Sequence, residues 1–234
     1  MNNTITLKKQ GSPTIFLWGD YREKDINAYT KDVKIQEDYA KLIDSVYKVV
    51  NEILQTKNIK EKDIECIRTS FYHKSKLVHE EAGKRIVQLS HYSSIFESMF
   101  NELSFDKQSN IRLRVVQSHW KDFPSEKQAN EILTRTLNDV SKKVRIFTID
   151  RIIYFKQKQL LSNLKERYSV EVDLKIKEQI ENGVNLFEKS YYMREVGKEK
   201  VSITFAHNEG MKSFLLNKSN LTEELIIEEI EKRK

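Results

Sequence analysis

Apolar positions recur at helical spacing through the first half of the chain and shift toward alternation in the second. Ile35, Tyr39, Leu42, Ile43, Val46, Val49, Val50, Ile53 and Leu54 fall on one face of about five helical turns. Ahead of them, Thr4 to Leu7 and Thr14 to Trp18 are short β-prone runs. The turn chemistry of Gly11-Ser12-Pro13 separates them, so the chain is expected to open with a hairpin. Ile64, Ile67, Phe71 and Leu77 predict a second helix from Lys62 to about Val78. Gly83 marks a break, and Ile86, Leu89, Ile95, Phe96, Met99 and Phe100 predict a third helix over about 84–103.

From residue 111 the period changes. Ile111, Leu113 and Val115 alternate with Arg112 and Arg114, which predicts a strand with a cationic wet face. A helix follows from Pro124-Ser125-Glu126 to about Lys143, then a strand over Val144–Phe155 and a short helix through Leu160, Leu161 and Leu164. Val170, Val172, Leu174 and Ile176 alternate again, and Asn182-Gly183 reads as a turn leading to a strand over Val184–Met193. Val201–Phe205 and Met211–Leu216 extend a meander around Gly210. A last helix starts at Thr222, with acids in its first turn and Lys232, Arg233 and Lys234 at its end.

These elements make the chain α+β: a short hairpin, a helical N-terminal half, a mixed or antiparallel sheet half and a C-terminal helix. They divide into a hairpin-plus-helical subdomain over 1–107 and a sheet-rich subdomain over 108–234, with one continuous domain an equal alternative.

Composition narrows the chemistry. Cys66 is the sole cysteine, so neither a disulfide nor a structural zinc site supports the fold. No run reaches the roughly 18 apolar residues of a membrane span, and Met1 to Gln10 lacks the apolar core of a signal peptide, so a cytoplasmic protein without membrane contact is expected. There is no glycine-rich phosphate loop, Rossmann fingerprint, zinc-protease helix or nucleophile elbow. No cofactor and no metal are expected.

The net charge of +6 is uneven. Residues 1–110 hold 17 basic and 16 acidic side chains, 111–168 hold 13 and 6, and 169–234 hold 11 and 13. A basic block between near-neutral ends predicts a local anion-binding face. The residues assigned to it are Arg112, Arg114, Lys142, Lys143, Arg145, Lys156, Lys158, Lys165 and Arg167, with Trp120, Tyr154, Phe155 and Tyr168 interleaved. Guanidinium forks grip phosphates and aromatic rings stack on unpaired bases, so RNA or single strands are the expected partner of a non-enzymatic binding protein.

Two alternatives come from other features. Arg68 with His73, Arg85 with His91, and Arg112 and Arg114 with His119 are separated by four to six residues. This spacing resembles the Arg-x4-6-His motif of HEPN-type ribonucleases, whose pair sits on a helix. The resemblance implies a metal-independent endoribonuclease in which Arg68 holds the scissile phosphate and His73 moves a proton. Asp150 at a strand end and Asp173-Leu174-Lys175 on another strand suggest a carboxylate nuclease site. The acidic C-terminal helix fits a protein-interaction component of a larger assembly, with a protein partner or a second copy of the chain.

Overall fold

The computed structural model describes residues 37–118, 125–207 and 210–234. The hairpin expected over 4–18 lies outside them, as do His119 and Trp120. The chain is α+β, with helices first, a three-stranded antiparallel sheet after them and a helix at the C-terminus. It divides into two compact units, one ending at Ile132 and the other beginning at Leu133.

In the first unit, α1 (Glu37–Thr56), α2 (Glu61–Tyr72), α3 (Lys76–Ser90), α4 (Ser94–Leu103) and α5 (Ser109–Ser118) each pack on the next in the chain. Val46, Val50, Ile53 and Leu54 form the buried stripe expected for α1. Asp63 accepts from the Lys60 N–H at 3.0 Å and starts α2; Ser93 accepts from the Ile95 N–H at 3.2 Å and starts α4. α3 is central and packs on α1, α2, α4 and α5. It therefore buries most of its circumference, including Val78, Ala82, Gly83, Ile86, Val87 and Leu89. Gly83 does not break this helix. A Cβ there would stand 2.2 Å from Ser118 Oγ, so the missing side chain is what lets α3 and α5 approach.

α6 (Glu126–Leu137) carries the boundary between the units. The second unit continues with α7 (Lys142–Tyr154), a 3-10 turn over Lys158–Leu160, α8 (Leu161–Val170) and α9 (Leu174–Lys189). They enclose Ile149, Ile152, Leu160, Leu164, Ile176 and Ile180. Ser190, at φ 70°, turns the chain from α9 into β1 (Tyr191–Val196). β1, β2 (Lys200–His207) and β3 (Gly210–Asn217) form an antiparallel meander in which Met193, Ile203 and Phe214 align, as do Val201 and Leu216. Ile226 and Ile230 of α10 (Glu223–Glu231) share a buried cluster with Val201, Ile203 and Phe205. Thr222 caps α10 through the Leu225 N–H at 3.2 Å.

Three segments read as strands are not strands, and of a fourth, Val184–Met193, residues 184–189 belong to α9 and only 191–193 to β1. Residues 111–115 lie in α5, where Ile111, Val115 and Ser118 form one buried stripe and Leu113 and Val116 another. The helix packs on two sides, so its short apolar run alternates. Residues 144–154 are α7, in which Val144, Thr148, Ile149 and Ile152 are buried at helical spacing despite their β-branched character. The alternation at Val170, Val172 and Leu174 comes from a turn that exposes all three, by 61, 87 and 80%. Asn182-Gly183 lies inside α9 rather than in a turn. A Cβ on Gly183 would meet Ile153 at 2.7 Å, so this glycine marks the close crossing of α7 and α9.

Candidate nucleic-acid interface

The nine basic residues of the expected face have distinct fates. Arg145 is buried. Its Nε and Nη2 donate to Glu171 at 2.9 and 3.2 Å, and its Nη1 donates to the Asp139 and Val140 carbonyls at 2.9 and 3.2 Å. Arg167, one turn before Glu171 on α8, donates to the same carboxylate at 2.7 and 3.1 Å. Burial acts to raise the Glu171 pKa, but the Arg145 fork, the Asp173 N–H and Arg167 outweigh it and bring the carboxyl down to about 2. The triad fastens the α6–α7 turn to the α8–α9 turn.

Lys142 pairs with Asp173, which also caps α9, and Lys165 pairs with Glu188. Four of the nine are thus held by carboxylates. In the first unit, Arg112 donates to the Asp106 and Lys107 carbonyls at 2.7 and 3.1 Å, and Arg114 donates to the Phe71 carbonyl at 2.6 Å. Lys143 and Lys158 are exposed, and the exposed Lys156 reaches the His207 carbonyl at 3.4 Å.

The second unit brings other residues together around a groove of about 430 Å³. Phe147, Asp150, Arg151 and Tyr154 follow one another at i, i+3, i+4 and i+7 along α7 and so share one face. Ile153 of α7, Gln179 and Asn182 of α9, Tyr192 of β1 and Met211 of β3 complete the lining. Tyr154 is 65% exposed and rests edge-on against Phe155, with ring centroids 5.1 Å apart. Gln179 donates to Asp150 and, at 3.2 Å, to the Ile146 carbonyl. Asp150 is exposed as a residue, yet the groove walls strip water from its carboxyl and raise its pKa, against the Gln179 hydrogen bond and the Arg151 charge. The α7 stripe is legible in the sequence once 144–154 is read with a helical rather than a strand period.

Arg68 and Arg85, the arginines of two of the Arg/His pairs, meet other side chains. Arg68 donates to Glu102 at 3.0 Å, and Lys74 and Arg114 are among the charged neighbours of His73. Arg85 is buried, donating to the Tyr47 hydroxyl at 2.9 Å, to Glu81 at 3.1 Å and to Gln88 at 2.7 Å, while its guanidinium lies 4.4 Å from the Tyr47 ring centre. Burial first, together with the Glu81 bond, pushes the Tyr47 hydroxyl up to about 12. Arg85 therefore braces α1 on α3. Asp150 lies in a helix and Asp173 caps one, in place of the strand positions expected for a carboxylate pair. Among the described residues no group of metal-ligating side chains forms, and no helix is long and apolar enough to cross a membrane.

Comparison of the chain with family models, with curated proteins and with solved structures returned no match.

Proposed function

We propose that the protein binds single-stranded nucleic acid without cutting it, seating an unpaired base in the groove formed by α7, α9 and the sheet. The α7 stripe of Phe147, Asp150, Arg151 and Tyr154 facing Gln179, Asn182 and Tyr192 carries this reading. Every base has a π-face, so the exposed Tyr154 and the half-buried Tyr192 supply stacking without demanding one sequence. The amides and the Asp150 carboxylate offer acceptors and donors to a Watson–Crick edge that only an unpaired base presents. The groove volume of about 430 Å³ is in the usual range for a small-ligand pocket. Lys156 and Lys158, in the turn directly after α7, supply charge for the adjoining phosphates.

The test is an anisotropy titration with single- and double-stranded RNA and DNA across a salt series, in EDTA. Single strands are expected to bind and to be recovered full-length, with duplexes weaker. Equal affinity for duplex, or undiminished affinity after Tyr154→Ala and Tyr192→Ala together, would overturn the reading. Shortened RNA in EDTA would replace it with the ribonuclease reading.

A separate observation favours a second reading, docking of an acidic, apolar protein segment. Val140, Val172 and Leu174 are 90, 87 and 80% exposed on the two turns that Arg145 and Glu171 fasten together, beside the exposed Lys143 and Lys175. Replacing Val172 and Leu174 by Asp abolishes such docking and leaves nucleic-acid binding unchanged; unaltered docking by that variant excludes this surface.

A further inference from the structure

Aromatic stacking of the kind Tyr154 and Tyr192 offer treats all bases alike, so any preference among them comes from the polar groups where α7 faces α9. Gln179 fixes what those groups offer. Its Nε2 donates to the Ile146 carbonyl at 3.2 Å and to Asp150 Oδ1. A carbonyl only accepts, so the orientation of the amide is set, and both Nε2 hydrogens are spent on these two oxygens. Gln179 thus has no donor left for a ligand.

Asp150 precedes Tyr154 by one turn on the same α7 face, and among the described residues Gln179 is its one hydrogen-bond partner. An ionised carboxylate donates nothing. With Oδ1 accepting from Gln179, Oδ2 and the second lone pair of Oδ1 are left to accept from a ligand. The groove walls strip water from this carboxyl, and a ligand carrying N–H donors restores the bonds that water would have made. Asn182, one turn after Gln179 on α9, lines the same groove with an amide that both donates and accepts.

The four bases differ in what they bring to a group that only accepts. The unpaired edge of guanine sets N1–H beside N2–H, two adjacent donors that match the two oxygens of a carboxylate, with the O6 acceptor next to them. Adenine and cytosine each bring one exocyclic amine. Uracil brings a single N3–H between two carbonyl oxygens, which a carboxylate repels. We propose that the groove selects guanine, with Asp150 accepting from N1–H and N2–H, Asn182 donating to O6, and Gln179 as the positioning residue that holds the carboxylate. The order of affinity is then guanine first, adenine and cytosine next, and uracil last. Selection rests on the function proposed above, in which an unpaired base occupies this groove.

The test takes the full-length protein and fluorescein-labelled RNA octamers of uridine that carry guanosine, inosine, adenosine, cytidine or uridine at one central position, followed by anisotropy. The guanosine strand is expected to bind about tenfold or more tightly than the all-uridine strand. Inosine keeps N1–H and O6 but lacks the N2 amine, so its strand should bind about threefold or more weakly than the guanosine strand. Asp150→Asn puts an N–H donor where an acceptor stood, and the ratio of guanosine to uridine affinity should fall by about fivefold or more. Equal affinity for the guanosine, inosine and adenosine strands overturns guanine selection while base stacking in the groove stands, as does an unchanged ratio in Asp150→Asn. Failure of every strand to bind sinks the groove function and the selection together. The inosine comparison alters the ligand alone, so it decides the matter even where Asp150→Asn folds poorly.

Discussion

Arg145 and Glu171 meet through two hydrogen bonds, at 2.9 and 3.2 Å, with Glu171 only 2% exposed. Removing the carboxylate leaves Arg145 and Arg167 without their acid in the protein. Glu171→Ala is therefore expected to lower the stability of the second unit by about 3–5 kcal/mol, read from urea unfolding. The pH dependence has a defined sign. A carboxyl held at about 2 stabilises fully above its ordinary value of 4.5, and that contribution disappears as pH falls from there toward 2. Glu171→Gln should flatten acid destabilisation across that interval; an unchanged acid-unfolding profile would show that the triad does not govern it.

Gly83 provides a test of close packing against helix propensity. Alanine favours a helix over glycine by about 1 kcal/mol. Its Cβ, however, would stand 2.2 Å from Ser118 Oγ and 3.2 Å from the Phe71 ring. Overpacking typically costs about 1–3 kcal/mol, so Gly83→Ala should destabilise the first unit, and a raised thermal midpoint would contradict the α3–α5 approach.

Ser190 gives the opposite case. Its φ of 70° is left-handed, a conformation glycine adopts without strain. Ser190→Gly should gain up to about 1 kcal/mol in chemical denaturation, and an unchanged or lowered midpoint would contradict strain at this position.

Salt dependence separates a groove from a broad basic face. If Lys156 and Lys158 make the phosphate contacts, the slope of log affinity against log salt for a single strand should be about −1.4; nine contacts would give about −6. Loss of Tyr154 stacking should weaken binding by about 1–3 kcal/mol without altering that slope.

Much of the fold was readable from residue order. The buried stripe of α1, the meander around Gly210 and the Thr222 cap all follow from periodicity and local hydrogen-bonding chemistry. Periodicity failed at α5 and α7 for different reasons. α5 is a short helix packed on two sides, so its apolar residues form two stripes, whereas α7 buries one stripe rich in β-branched residues that favour strands. Gly83 and Gly183 misled in the same way, because a glycine that lets two helices touch carries the same letter as one that ends a helix. The basic block was legible as charge along the chain but not as a surface. Nothing local to Arg145 announces that Glu171, 26 residues on in the α8–α9 turn, will take it out of solvent.

The densest packing in each unit joins elements that are adjacent or next but one in the chain. Closing the loops between such elements costs little chain entropy, so the nascent polypeptide can begin organising each region before the whole of it has been synthesised. Refolding from denaturant should accordingly be rapid, within milliseconds, and separate fluorescent probes in the two regions should report it on independent clocks.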